Sequence, residues 1–229
     1  QENIDRFKKF EHKIIYNIFD ENKPEWTQWD RDCIHKNAAM KALEKSNLDD
    51  GDIVFYSDAD EIWNPKAVDF SNFKEDILYI LYQKTFYYYI NTEWYDINNP
   101  YKDIWRGSKY SSYGLLKQHS FDTFRDWGSY FHRDNQYKKE YINNGGWHFS
   151  FLGGANNIKL KIDSYGHQEF NCPPFLDNIQ NNIDNLQDPF FRPYYKIRVI
   201  DLDPNIYPAY LMDHLDEYDK YIYRENRNE

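Results

Sequence analysis

The apolar positions of this chain fall into short blocks whose spacing switches between two periods, which predicts strands and helices in alternation. "KIIYNIF" (13–19) is short, apolar and β-branched and reads as a buried strand. "TQWDRDCIHKNAAMKALEKS" (27–46) repeats at the helical period, with Thr27 as its N-cap and Lys45 near its end. "LDDGD" is a turn, and "IVFYS" (53–57) is a second buried strand. Strand, helix and strand within about 45 residues make a βαβ crossover, which implies a parallel sheet.

Beyond Pro65, "ILYILYQ" and "TFYYYIN" read as two more strands, rich in rings and β-branched residues. Residues 91–140 are aromatic and polar with weak periodicity and read as loops and short elements around a site. "GGWHFSFLGG" (145–154) reads as a strand between glycine pairs, and "NNIKLKIDSYG" as a helix closed by Gly166. "PPFLDNIQNNIDNL" reads as a helix opened by two prolines, and "PAYLMDHLDEYDKYIYREN" as the closing helix. No internal repeat and no Gly/Ser linker divides the chain, so residues 1–229 read as one α/β domain.

The chemistry concentrates in "DIVFYSDADEIWNP" (52–65), where a buried strand runs into three carboxylates within four positions. Like charges that close destabilise one another unless something positive sits among them. On an extended backbone Asp58 and Asp60 share a face, with Ala59 turned away and Glu61 on the opposite side. Ligands of open α/β sheets bind beyond the carboxyl ends of the strands. Two carboxylates at such an end suit Mn2+ or Mg2+, which complete their shells with water and diphosphate oxygens.

Composition narrows the classes. Hydrophobic residues make up 41% and aromatic residues 20%, which argues for a packed core and a groove lined with rings. A net charge of −10, with acids and bases mixed, argues against a nucleic-acid partner, which needs a basic face. Two cysteines, Cys33 and Cys172, imply no disulfide framework and read as free thiols. No run approaches the about 20 apolar residues that span a bilayer, and no basic-then-apolar leader opens the chain, so no membrane span is expected. There is no G-x-G-x-x-G loop, no G-x-S-x-G elbow and no Cys/His zinc pattern.

"YSDADEIWNP", followed by "GGWHFSFLGG" and "IDSYGHQEF", resembles glycosyltransferase family 17, which includes the β-1,4-mannosyl-glycoprotein β-1,4-N-acetylglucosaminyltransferases. "RFKKFEHKIIYNIFD", "WDRDCIHKNAA" and "IYPAYLMDHLDEYDKYI" extend the resemblance over most of the chain in the family's order. The resemblance implies a GT-A, Rossmann-like fold with a mainly parallel central sheet flanked by helices. Its first strand, which helps hold the uridine, falls before the point corresponding to Gln1. The implied activity is inverting and divalent-metal-dependent, moving a sugar (N-acetylglucosamine above others) from a UDP-sugar to a glycan or glycoconjugate acceptor. The compartment stays open: cytoplasmic for a viral or bacterial relative, the Golgi lumen for an animal-type one.

For the metal, Mn2+ or Mg2+, the resemblance points to Asp60 and Asp58, joined by His167. His148 is assigned to the donor, with metal ligation as its rival role, and Arg31 to donor phosphate or uracil. The base is Glu169, two residues beyond His167, with Glu61 as competitor. Trp147 and Trp105, with Trp94 and Trp63 behind them, are candidates for stacking on sugar rings. Two other readings remain: a glycoside hydrolase, since paired carboxylates and aromatic grooves suit that chemistry too, and a non-catalytic carbohydrate-binding protein that kept the fold.

Overall fold

A computed structural model describes residues 4–100, 105–126 and 138–225. The chain opens with α1 (Ile4–Phe7) and a 3-10 segment at Lys8–Lys13, then α2 (Gln28–Glu44), β1 (Ile53–Tyr56) and β2 (Glu61–Trp63). The central strands follow: β3 (Ile77–Tyr87), β4 (Thr92–Asp96) and β5 (Trp105–Ser112). After α3 (Tyr113–Lys117), α4 (Phe121–Asp126) and β6 (Lys138–Ser150), the chain enters α5 (Gly154–Ser164), α6 (Pro173–Leu176) and α7 (Ile179–Asp184). It closes with β7 (Tyr195–Val199), α8 (Ala209–Asp213) and α9 (Leu215–Tyr218).

Helix α2 forms where its spacing and caps predict. Thr27 accepts from the Asp30 amide at 3.1 Å, and the Asp30 carboxylate accepts the Thr27 amide at 2.8 Å, a reciprocal cap that satisfies two otherwise orphan donors.

The seven strands form one mixed sheet, in which β1, β5, β3, β4 and β7 are successive neighbours and β6, with β2 beyond it, lies on the other side of β3. Among the described residues only the β3–β6 pair is parallel; β1–β5, β3–β5, β3–β4, β4–β7 and β2–β6 are antiparallel. This overturns the mainly parallel sheet. The βαβ reading fails at its first strand, because residues 13–19 form none, and Ile14, Ile15, Tyr16 and Ile18 are 46–82% exposed. That segment is tied to α2 by Asn17, which donates to the Ala38 carbonyl, and by the Phe19–His35 ring contact.

Strand β3 organises the interior. Leu78 and Ile80 pack with Val54, Leu116 and Phe124, whereas Ile77, Tyr79 and Leu81 pack with Tyr110 in a separate cluster, so both faces are buried. Each fully buried aliphatic side chain contributes about 1.5–3 kcal/mol. The two strands read from "ILYILYQ" and "TFYYYIN" are therefore one continuous strand to Tyr87. Its polar middle stays buried because Gln83 donates to Ser108 Oγ at 2.9 Å. Tyr88, at φ +72°, ends it.

Other boundaries shift for local reasons. Within 91–140, read as loops and short elements, the described residues form β4, β5, α3, α4 and the start of β6; 101–104 and 127–137 lie outside the described residues. Helix α5 ends at Ser164 with Tyr165 as its extended cap, so Gly166 is not the left-handed stop expected. The helix after the prolines splits into α6 and α7, and the closing helix splits at His214. Among the described residues neither Cys33 nor Cys172 forms a disulfide. Among the described residues no helix is long and apolar enough to cross a membrane.

Gly146, at φ +147° beside a register shift in the β3–β6 ladder, has the Ile62 carbonyl oxygen 2.1 Å from where a Cβ would stand. Gly146→Ala is expected to destabilise the fold by about 1–3 kcal/mol from backbone strain alone. Urea unfolding measures this, and unchanged stability would contradict the close approach of β2 to β6.

Candidate active site

The acidic motif sits where β1 ends and the chain turns into β2. The backbone does not stay extended there: the Glu61 amide donates to the Asp58 carbonyl at 3.0 Å, closing a turn over Asp58–Glu61. Asp58 and Asp60 each meet a different cation. Glu61, expected on the opposite side, folds back so that its carboxylate accepts the Asp58 amide at 3.2 Å. Its cross-strand neighbour on β6 is His148.

The positive partners come from helices outside the motif. Arg125 of α4 reaches Asp58 through Nε at 3.3 Å and Nη2 at 3.1 Å, with Glu61 at 3.9 Å. Asp58 also accepts the Tyr56 hydroxyl at 3.0 Å. Lys161 of α5 lies 2.5 Å from Asp60 and 2.8 Å from Ser150 Oγ, and His148 Nε2 lies 3.3 Å from the same Asp60 oxygen. Trp105 completes the cluster: its indole N–H donates to Glu61 at 2.8 Å, and its ring stacks on His148 with centroids 4.3 Å apart. The Arg125 guanidinium lies 5.8 Å from the Trp105 ring centroid, on its face.

Burial decides how strongly these pairs act. The Glu61 side chain is fully buried and Arg125 is 17% exposed, whereas Asp58, Asp60 and Lys161 reach solvent at 36%, 28% and 36%. Burial would raise the pKa of Asp60, but the bonds and charges of His148 and Lys161 outweigh it and hold the carboxyl well below the ordinary range. Burial would lower the pKa of Arg125, and the charges of Asp58 and Glu61 push it up instead. Tyr56 is pushed up, by burial first and then by Asp58, so its hydroxyl stays protonated and remains a donor. Three carboxylates thus face two cations and an imidazole.

The other predicted residues distribute over three places. Strand alternation turns Trp147 away from His148: it is buried among Phe86, Tyr207 and Leu211 and donates to the Ile206 carbonyl at 2.6 Å. Trp147 also borders a cavity of about 430 Å3 with Asn64 and Asn144. Trp94 is buried and bonded to Asp188 at 2.8 Å, and Trp63 stacks on Phe55 at 4.5 Å. Arg31 borders a larger cavity of about 680 Å3, between the N-terminal segment, α2 and residues 163–168. Trp26, His35, Tyr165 and Gln168 line it too, as does Asp32, whose charge is felt at Tyr56 beside Asp58. His167 pairs with Glu169 at 2.7 Å and sets its ring edge-on to Trp29. It does not join Asp58 and Asp60: among the described residues no three His, Cys, Asp or Glu side chains form a metal-holding group.

Arg125 and Lys161 are the residues that the sequence reading missed. The signal for a cation was present, since three adjacent carboxylates demand one, but its place in the sequence was not. Lys161 follows Ile158 and precedes Ile162, both buried, which sets it at the edge of the packed face of α5.

The comparisons agree with the resemblance. The sequence model of glycosyltransferase family 17 matches residues 1–190, and the chain belongs to that family. It is accordingly a glycosyltransferase, whose partners are a sugar donor and a glycan acceptor. No curated protein and no solved structure matches it.

The depressed pKa of Asp60 fixes a pH dependence. Its stabilising contribution is complete above the unfolded carboxylate value near ~3.9 and is lost as pH falls toward the folded value. The stability gap between wild type and Asp60→Asn, measured by urea unfolding, is expected to hold steady above about pH 5 and to narrow as pH falls below it. A gap independent of pH would contradict the pairing.

Proposed function

We propose that the chain transfers N-acetylglucosamine from a UDP-sugar to a glycan acceptor, with inversion, at the Asp58–Glu61 turn. The observation that carries this reading is the acidic turn at the strand ends with Arg125, Lys161 and His148 around it; a separate cavity of about 680 Å3, bordered by Arg31, is also lined by Asp32, whose charge acts on Tyr56 beside Asp58. A cavity of that size suits a nucleoside, with Trp26 and Tyr165 for the base and Arg31 as a fixed fork for its oxygens. On this reading the mixed sheet serves as a GT-A scaffold, with the donor at the strand ends.

The reading includes a divalent ion, Mn2+ or Mg2+, and the donor set fits one in its chemistry. Asp58 and Asp60 are oxygen donors, partly exposed, and each already binds a positive group. Two carboxylates with substrate phosphates suffice for such an ion. When bound, it would neutralise charge on the departing diphosphate.

Transfer requires the acceptor hydroxyl oxygen to bond to the sugar's anomeric carbon while the bond to the diphosphate breaks and a base takes the hydroxyl proton. Glu61 is engaged by Trp105 and the Asp58 amide, with no exposed side-chain surface, so it anchors the turn. The exposed His167–Glu169 pair supplies the base. With its Nδ1–H donated to Glu169, His167 keeps Nε2 free to accept a proton. Trp105 holds His148 and Glu61 in place, and His148 stands beside Asp60 to meet the donor.

Purified protein assayed for nucleotide release across UDP- and GDP-sugars, with and without chelator, tests this. Release from UDP-N-acetylglucosamine that needs both acceptor and divalent ion is expected; hydrolysis that survives chelation and ignores nucleotide sugars would refute it. Asp60→Ala is expected to abolish transfer without unfolding the chain. Glu169→Gln is expected to lower turnover by about 100-fold or more while UDP binding, measured by calorimetry, is kept. Unchanged turnover would move the base elsewhere.

A further inference from the structure

The two cations of the acidic cluster are held very differently. Arg125 is enclosed: it bonds Asp58 through two nitrogens, lies beside buried Glu61 and sits over Trp105. A planar fork fixed on three sides has no second position to take, and removing it would leave Glu61 buried without compensation. Lys161 is a single ammonium on a flexible four-carbon stem, 36% exposed, with one carboxylate and one hydroxyl as polar partners and the Phe151 ring 5.2 Å away. It projects from the last turns of α5, and Asp163 and Ser164, at the end of that helix, line the larger cavity. The flexible charge is thus carried by the helix whose C-terminal end lines the space that the nucleoside is proposed to fill.

We propose that Lys161 is a stand-in cation: it neutralises Asp60 while the donor is absent and passes to the donor's diphosphate when a divalent ion takes Asp60. This rests on the donor reading given above and adds a residue to it. The physical reason is exclusion by charge. An ammonium at 2.5 Å from Asp60 Oδ2, the oxygen that His148 also approaches, repels an incoming divalent ion, so ion and Lys161 compete for one carboxylate. The diphosphate resolves the competition, because it brings negative charge that Lys161 can neutralise from the same anchor point. Metal and nucleotide then bind cooperatively, each improving the site for the other by the same factor. Ser150 Oγ, at 2.8 Å from the ammonium and buried, holds the stem near the site through the exchange.

The test uses the full chain with Mn2+ alone, followed by electron paramagnetic resonance of the free ion, and UDP with saturating Mn2+, followed by calorimetry. Lys161→Met is expected to bind Mn2+ alone about tenfold or more tightly than wild type, and UDP with Mn2+ about tenfold or more weakly. Lys161→Gln carries the same comparison should the methionine variant fail to fold. Unchanged or weaker Mn2+ binding overturns the competition, and unchanged UDP binding overturns the transfer to diphosphate. Wild type that binds neither Mn2+ nor UDP would instead refute the donor reading itself, a result distinguishable from either of these.

Discussion

The compensation of three carboxylates by cations from two other elements is the constraint on which this site depends. Asp58, Asp60 and Glu61 are held within one turn, where their mutual repulsion would open the β1–β2 connection if it stood alone. Arg125 and Lys161 remove that cost from two directions, and both are carried by helices. The fold therefore has to bring α4 and α5 to the same strand ends. Pairs of this kind are weak evidence for stability, because desolvation offsets much of their attraction. What they supply is placement: Arg125 holds Asp58 beside Glu61, and Lys161 and His148 hold Asp60.

The mixed sheet explains how that placement is reached. Parallel β6 runs along the whole of β3 and delivers His148 opposite Glu61, while antiparallel β5, on the other side of β3, begins at Trp105 and delivers that ring. Strand alternation along β6 then separates two functions of one motif. His148 faces the acidic turn, and Trp147, next in sequence, enters the core behind it. A sheet with β1 in parallel register would place these groups differently, so the antiparallel arrangement is part of the site.

Much of this was legible in the sequence, and unevenly. The helix from Gln28 to Glu44 declared itself through period and cap, since both signals are local. The strand β1 and the acidic motif after it were equally plain, and the three blocks carrying DADEI, GWHFS and HQE led to the family. Sheet direction was not legible, because parallel and antiparallel pairing differ in partners distant along the chain, and residues 13–19 satisfy a strand pattern without any strand to pair with. The rotation of Glu61 toward Asp58 was hidden for a related reason: alternation holds only while the backbone is extended, and a turn overrides it. Arg125 and Lys161 were hidden because nothing in a basic residue's own neighbourhood names the acid that it will meet.

The central claim is that the Asp58–Glu61 turn receives the diphosphate of a nucleotide sugar together with a divalent ion. A crystal grown with Mn2+ and UDP, examined by anomalous scattering at the manganese edge, tests it most directly. The account predicts a manganese peak on Asp58 and Asp60, the diphosphate beside Lys161, and the nucleoside between Arg31 and Gln168. UDP bound elsewhere, with both aspartates still paired to Arg125 and Lys161, would contradict it.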